Sequence, residues 1–326
     1  MIFAVEILWL NLILFAFGLA ILVKGSDWFV EAAAGLARSF GVSELVIGLT
    51  LVSIGTSLPE LASSVYAAFS GESTFIIGNI VGSNIANIAL ILGAGLVLGG
   101  SIGFSRVALR RDMPILLAVS LSLSLWFYFA PDLPAGVNGV GRLGGVLLLA
   151  SCVGYTMLLC RNSAAATEEA VEAVLMSRRS AVGLIFLGLM MITAGSKLMV
   201  DTVVVTARQW GVDPLVISLT VVAVGTSLPE LAVTISGVLK KRHDIALGNI
   251  IGSNIYNILL IVGCCGVISP LRSTGSESLI ALGVMMAAAA ALWLFMASGK
   301  ALRRWQGWLL MAGYALFLAW TVIFCR

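Results

Sequence analysis

The octapeptide GTSLPELA stands at residues 55–62 and recurs letter for letter at residues 225–232. Sliding the chain on itself by 170 residues, without a gap, aligns residues 18–90 with residues 188–260, and 33 of these 73 positions are identical. Self-similarity at a fixed offset indicates that one structural unit is present twice. The repeat therefore predicts a chain made of two related halves.

The composition places both halves in a membrane. Hydrophobic residues make up 60% of the chain and charged residues 11%, and the mean hydropathy is +1.08. A helix crosses the hydrocarbon core with about 20 apolar residues, and runs of this length follow one another along the sequence. We predict an all-α membrane protein with ten transmembrane helices. Their approximate limits are 6–37, 43–69, 74–99, 106–129, 139–160, 180–208, 213–239, 244–269, 278–298 and 303–325.

The basic residues predict the orientation of these helices. With the N-terminus outside, the odd-numbered connections hold thirteen Lys and Arg residues, whereas the opposite side holds four. Cytoplasmic connections carry the excess of basic residues, so we expect both termini on the non-cytoplasmic side of the plasma (inner) membrane. The first apolar run lacks a basic leader and an A-x-A site, so it reads as a retained helix rather than a signal peptide.

The number of helices fixes how the two halves relate to each other. Equivalent positions are separated by five spans, an odd number, so the two copies enter the bilayer from opposite sides. We predict two inverted five-helix repeats, at residues 1–160 and 180–326, joined by a cytoplasmic linker at 161–179. Inverted repeats are typical of secondary transporters, whose substrate site lies near the midplane where broken helices meet.

The repeated octapeptide predicts one such broken helix in each half. Pro59 and Pro229 lack an N–H group and clash with the carbonyl group four residues earlier, and the freed carbonyl groups need protein, water or a cation as partners. One carboxylate follows each break, Glu60 or Glu230, and a lone charge at this depth costs roughly 3 to more than 10 kcal/mol. Hydroxyl oxygens adjoin both breaks, at Thr56, Ser57, Thr226 and Ser227.

A second repeated motif supplies further oxygen atoms. GNIVGSNIANI at 78–88 returns as GNIIGSNIYNI at 248–258, and each copy places a serine and an asparagine four residues apart, on one helix face. These are Ser83 with Asn87 and Ser253 with Asn257. Carboxylate, hydroxyl and amide oxygens without thiolate or imidazole are the ligands of a hard cation such as Ca²⁺. We expect the other motif asparagines to form interhelical hydrogen bonds, namely Asn79, Asn84, Asn249 and Asn254.

These motifs resemble those of the calcium/cation antiporters of the sodium/calcium exchanger type, whose two alpha-repeats carry G-T-S-x-P-E and G-S-N-x-x-N. The resemblance implies ten helices, alternating access, and Ca²⁺ and Na⁺ as transported ions without a prosthetic group. It implies that Ca²⁺ binds at the centre, to Glu60, Glu230 and the carbonyl groups of Thr56 and Thr226. Sodium sites are implied on either side, at Ser57, Ser83 and the Ser53 carbonyl, and at Ser227, Ser253 and the Ala223 carbonyl. Asn87 and Asn257 complete the middle.

One departure from the family pattern predicts how the ions are coupled. Some members of the family, including members that also carry potassium, have Asp where this chain has Asn257. We therefore expect K⁺-independent exchange by a monomer in the lipid bilayer, with no nucleic acid as partner. We also expect the first and sixth helices to slide against the rest, because both are long and amphipathic and neither carries a site motif. The resemblance to the exchanger family implies the same movement.

Three other functions remain open from the residues alone. A proton/calcium exchanger would also use two buried glutamates, although the flanking serines favour sodium. An intramembrane enzyme would need a nucleophile, a metal triad or a cofactor motif, and the sequence offers none, so we predict that the protein is not an enzyme. A cation channel is disfavoured because a site with two facing carboxylates binds ions too tightly for rapid conduction.

Overall fold

The computed structural model describes residues 8–129, 139–161, 177–210, 223–272 and 276–324, and this part of the chain is almost entirely helical. The helices, numbered α1 to α12, are Leu8–Phe40, Glu44–Thr56, Leu58–Phe69, Ser73–Gly99, Ala108–Phe129, Arg142–Arg161, Arg178–Gln209, Ala223–Thr226, Leu228–Leu239, His243–Ile268, Ser276–Ala297 and Arg304–Phe324. The short strands β1 to β4 are Ser101–Gly103, Gly139–Val140, Leu271–Arg272 and Ala301–Arg303.

The helices follow the predicted spans closely. Among the described residues, seven helices are long and apolar enough to cross a membrane, and the bent pair α2 and α3 makes an eighth span. The two remaining predicted spans, the seventh and the tenth, contain α9 and α12, but residues 213–222 of the seventh span lie outside the described residues. The all-α membrane fold is thus confirmed, and the count of ten stays a prediction. Most of the predicted linker, residues 162–176, also lies outside the described part.

The helices that carry the second repeated motif lie at the centre of the molecule. The most apolar 18-residue stretches of α4 and α10 are 78% and 83% buried, whereas those of α1 and α7 are only 22% and 33% buried. α1 turns Trp9, Ile13 and Phe17 outward, all of them exposed and one helical turn apart. Apolar side chains thus cover the outside of the bundle, and the polar motifs face its interior.

Four glycines let α1 and α7 pack against each other at very short range. A Cβ atom on Gly195 would lie 2.7 Å from the Gly18 carbonyl oxygen, and one on Gly188 would lie 2.9 Å from the Gly25 carbonyl oxygen. Gly18 and Gly25 correspond to Gly188 and Gly195 in the repeat. The two peripheral helices therefore cross through a symmetric backbone contact that no larger residue would permit.

Two short antiparallel ribbons join the halves. β1 pairs with β4, with Ser101 opposite Arg303, and β2 pairs with β3, with Gly139 opposite Arg272. Each ribbon takes one strand from each half of the chain. The sequence predicts no strands here, because runs of two or three residues carry no detectable alternation.

Candidate ion-binding site

Each broken helix is interrupted at a serine. α2 and α3 are bent by 47° at Ser57, and Ser227 interrupts the second half with nearly the same backbone angles, φ −91° and ψ 7° against φ −84° and ψ 7°. Pro59 and Pro229 lie in the first turn of the following helix, where a missing N–H group does no harm. Glu60 and Glu230 occupy the same first turn, where the positive end of the helix dipole favours a carboxylate.

The two carboxylates are fully buried, and each is bonded by the other half of the chain. The Ser57 hydroxyl donates to Glu230 Oε1 at 2.9 Å, and the Ser227 hydroxyl donates to Glu60 Oε1 at 3.4 Å. Both glutamates have an exposed fraction of 0%. Among the described residues, no Lys or Arg forms an ion pair with either of them. Burying two ionised carboxylates without a cationic partner has a high free-energy cost. A bound cation would lower this cost.

Several other oxygen atoms of the site have no hydrogen-bond partner among the described residues. Within the described part of the chain, five buried oxygens of predicted ligands have no hydrogen-bond partner. They are Glu60 Oε2, Glu230 Oε2, Asn87 Oδ1, Asn257 Oδ1 and Ser253 Oγ. Buried polar atoms are nearly always paired. Unpaired acceptors around two carboxylates are therefore an arrangement suited to an oxygen-ligated cation.

Local π-helical turns carry the two predicted asparagine ligands. Asn87 lies in the π-helical segment Ala86–Leu92 of α4, and Asn257 begins the corresponding segment Asn257–Val262 of α10. Such bulges are rare and are frequent at functional sites. The Ser83 hydroxyl oxygen, one turn before Asn87, lies within hydrogen-bond distance of the Ser227 hydroxyl oxygen, at 3.3 Å. α4 therefore brings its polar face to the second broken helix.

Some predicted ligand atoms are already engaged within the protein. The Thr56 hydroxyl donates to Asn249 Oδ1 at 3.0 Å, and the Ser53 carbonyl accepts from the Ser57 N–H at 3.1 Å and from the Thr56 hydroxyl at 3.3 Å. Thr226 and Ala223 form the short helix α8 that ends at the second break. The Asn257 amide nitrogen donates to Asn84 Oδ1 at 3.0 Å, which leaves its oxygen for other partners.

Sequence reasoning missed the Ser53 hydroxyl, whereas it correctly predicted interhelical hydrogen bonds for Asn249. The Ser53 hydroxyl donates to the Gly48 carbonyl at 2.7 Å within α2 and lies 3.2 Å from the carbonyl oxygens of Gly248 and Asn249 in α10. Asn249 contacts both broken helices through its side chain. The only available signal for Asn249 was its identity with Asn79 in the repeat, and this identity does not distinguish an ion ligand from a hydrogen-bonding residue.

An inverted repeat with two broken helices and buried carboxylates defines a secondary transporter for cations. A model of the family described as "sodium/calcium exchanger protein" matches residues 10–161 and 180–323, and the chain belongs to this family. It is therefore a multi-pass membrane exchanger of Ca²⁺ and other cations, and not an enzyme.

Individual relatives agree with this assignment. The chain is 36% identical to the sodium/calcium exchanger MaX1 of Methanosarcina acetivorans, over 94% of this chain and 97% of that protein. It is 35% identical to the inner membrane protein YrbG of Escherichia coli, over 78% of each chain. A solved structure of the sodium-calcium exchanger NCX_Mj, soaked with Na⁺ and Sr²⁺, has a TM-score of 0.83 at 31% identity and covers 96% of this chain and 99% of its own.

Proposed function

We propose that the protein is a secondary antiporter that exchanges Ca²⁺ for Na⁺ across the plasma (inner) membrane by alternating access. The ions bind to the ten predicted ligands Thr56, Ser57, Glu60, Ser83, Asn87, Thr226, Ser227, Glu230, Ser253 and Asn257. One observation carries the proposal: among the described residues, five of these ligands hold a buried oxygen without a hydrogen-bond partner, and no Lys or Arg pairs with the two carboxylates. The names of MaX1 and NCX_Mj, both sodium/calcium exchangers, support sodium as the coupling ion.

The charge of the site explains why transport would be an exchange. Glu60 and Glu230 interact electrostatically inside a low-dielectric interior, where like charges repel strongly. A site without a cation is therefore the costly state, and crossing between outward and inward access requires neutralisation. One Ca²⁺ or a set of Na⁺ ions provides it. Because the empty site does not cross, the protein returns to the first side only after cations have bound on the second, and net transport is therefore an exchange.

The conformational change that we propose is a sliding of α1 and α7 along the rest of the bundle. These helices are peripheral and packed closely on each other, whereas α4 and α10 are central. The motion would break the contacts of Lys240 with Glu31 at 2.8 Å and with Asp27 at 3.6 Å. Exposed ion pairs contribute about 0–1 kcal/mol each, so these contacts do not block the movement.

Transport in proteoliposomes at clamped pH tests the coupling ion. With Na⁺ loaded inside the vesicles, the outward Na⁺ gradient is expected to drive ⁴⁵Ca²⁺ uptake. In separate vesicles without Na⁺, an outward proton gradient of equal size is expected to drive none. Uptake that follows the proton gradient would identify a proton/calcium exchanger instead. Sustained single-channel currents in a planar bilayer would identify a channel.

Potassium dependence is a separate prediction. Asn257 places a neutral amide at the centre, so the site lacks the additional carboxylate found in some potassium-carrying relatives. We expect Na⁺-driven Ca²⁺ uptake to be the same, within about twofold, when K⁺ is replaced by choline on both sides. Uptake that requires K⁺ would contradict the prediction. Asn257→Asp is the matched variant for testing whether the added carboxylate changes this behaviour.

The organisation of the chain is part of the same proposal. We propose that residues 1–160 and 180–326 form the two halves of one functional monomer, joined by the linker at 161–179. Both halves contribute to every part of the site, since each glutamate is bonded by the serine of the other half. Lipid covers the exposed apolar faces of the peripheral helices.

A further inference from the structure

Asn249 lies where α10 crosses both broken helices. Its side chain is fully buried, and its Oδ1 atom accepts from the Thr56 hydroxyl at 3.0 Å. Its Nδ2 atom donates to the Glu230 backbone carbonyl at 3.3 Å and to the Thr234 hydroxyl at 3.0 Å. Thr56 belongs to the first half of the chain, and Glu230 and Thr234 belong to the second. One amide group thus connects the two broken helices directly beside the carboxylates.

The orientation of this amide is dictated by its surroundings. A backbone carbonyl group only accepts hydrogen bonds, so the group facing the Glu230 carbonyl must be the Asn249 nitrogen. The oxygen then faces Thr56, whose hydroxyl donates to it, and both N–H groups of the amide have acceptors. Reversing the amide would place two oxygens in contact, at the cost of a buried hydrogen bond.

The backbone at Asn249 also lies against α2. The Ser53 hydroxyl donates its single hydrogen to the Gly48 carbonyl oxygen at 2.7 Å and lies 3.2 Å from the carbonyl oxygens of Gly248 and Asn249. The position equivalent to Ser53 in the second half is Ala223, which has no hydroxyl. This hydroxyl contact therefore has no counterpart at Ala223.

Hydrogen bonding separates Asn249 from the predicted asparagine ligands. The Oδ1 atoms of Asn87 and Asn257 are buried without a hydrogen-bond partner, as expected of atoms that bind an ion. The Asn249 Oδ1 and both of its N–H groups are occupied by protein groups. Asn249 therefore orients ligands rather than acting as one.

We propose that Asn249 is a positioning residue that fixes the distance between Thr56 and Glu230 and thereby sets the affinity of the central site for Ca²⁺ relative to Na⁺. The proposal rests on the proposed function, in which Ca²⁺ takes ligands from both halves at once. Ca²⁺ needs six to eight oxygens within a narrow range of distances, so a small shift between α2 and α9 weakens several contacts together. A Na⁺ ion held on one side of the centre loses fewer contacts.

Asn249→Ala, with Asn79→Ala as matched control, tests the proposal in proteoliposomes containing the full-length protein. Asn79 is the repeat equivalent, and its amide contacts Ser63 at 3.4 Å and Ser64 at 3.0 Å, both in its own half. For Asn249→Ala we expect the half-saturating Ca²⁺ concentration to rise about tenfold. The half-saturating Na⁺ concentration and the turnover at saturating Ca²⁺ should change by less than about threefold. Equal increases in both variants, or an unchanged Ca²⁺ affinity in Asn249→Ala, would overturn the proposal.

Two milder variants keep the test valid if Asn249→Ala fails to fold. Thr234→Val removes one acceptor of the Asn249 amide at nearly constant volume, and Thr234→Ser keeps the hydroxyl. We expect a rise in half-saturating Ca²⁺ for the valine variant and recovery for the serine variant; no difference between the two contradicts the role of Asn249. Loss of exchange in Glu60→Gln together with normal Ca²⁺ affinity in Thr234→Val would refute only the positioning role, whereas full exchange in Glu60→Gln would refute the site itself.

Discussion

Glu60 and Glu230 are buried carboxylates whose negative charge is compensated only in part by hydrogen bonds. Each carboxylate has one oxygen bonded to a serine of the opposite half, while the other oxygen has no partner among the described residues. A hydroxyl compensates a buried charge far less well than an ion of opposite sign. The negative charge that the hydroxyl groups leave uncompensated attracts a cation and contributes to its binding energy.

Glu60→Gln is expected to abolish Ca²⁺ exchange while leaving the fold intact. The glutamine has the same size and keeps an oxygen for the Ser227 hydroxyl, but it removes one of the two charges that bind the divalent ion. We expect Ca²⁺ uptake by proteoliposomes to fall by about a hundredfold or more. Glu72→Gln is the control, because Glu72 is exposed and its side chain makes no capping hydrogen bond at α4. Uptake in Glu60→Gln equal to that of the control would refute the site.

Single residues also show how far the sequence could predict the site. The repeat made Glu60 and Glu230 an obvious pair, and composition made their burial costly, so both could be found without coordinates. The hydrogen bonds from each serine to the glutamate of the other half could not be predicted, because identical motifs give no information on whether Ser57 faces Glu60 or Glu230. The same ambiguity concealed the role of Asn249, which depends on its three contacts across helices.

At the scale of helices, very close packing occurs between two helices of which little is buried. α1 and α7 touch through glycine backbones although most of their surface faces outward. Close approach of small residues drives helix association in membranes, where burial of apolar surface contributes little. α1 and α7 can therefore stay together while their contacts with the other helices change, as the proposed sliding requires.

Gly195→Ala is expected to destabilise this helix pair. The added methyl group would lie 2.7 Å from the Gly18 carbonyl oxygen and 2.8 Å from the Leu22 backbone nitrogen, so backbone must move. Overpacking of this kind costs about 1–3 kcal/mol. Gly183→Ala, in the same helix, is the control, since its new methyl group would meet no atom within 4 Å. Thermal unfolding of the purified proteins should show a lower midpoint for Gly195→Ala alone, and equal midpoints would contradict the prediction.

The positions of the helices are the part of the fold that the sequence predicts best. Long apolar runs located α1, α4, α6 and α10 to within a few residues. The π-helical segments at Ala86–Leu92 and Asn257–Val262 were not foreseen, because a change from i→i+4 to i→i+5 bonding depends on how neighbouring helices pack and leaves the apolar pattern unchanged. These segments determine where Asn87 and Asn257 point, so the finest detail of the site came only from the structure.

At the scale of the whole molecule, the distribution of basic residues predicts a definite orientation. Single cysteines introduced in a background without native cysteines, at Lys241 and at Ser276, test it. A membrane-impermeant maleimide added outside intact cells should label Ser276→Cys and leave Lys241→Cys unlabelled until the cells are opened. Thirteen basic residues against four favour this result by roughly 1 kcal/mol for each residue near an anionic cytoplasmic surface. The reverse labelling pattern would invert the predicted topology.

The two ribbons have a consequence for the origin of the molecule. β1 and β3 occupy equivalent positions in the two halves, 170 residues apart, and β2 and β4 both lie between the last two helices of their halves. Each ribbon therefore pairs one type of strand with the other, and a twofold rotation exchanges the two ribbons. This is the self-complementary pairing of a symmetric dimer. A half-length ancestor inserted in both orientations would have assembled with itself through these same strands, and gene duplication would then have freed Ser53 and Ala223 to diverge.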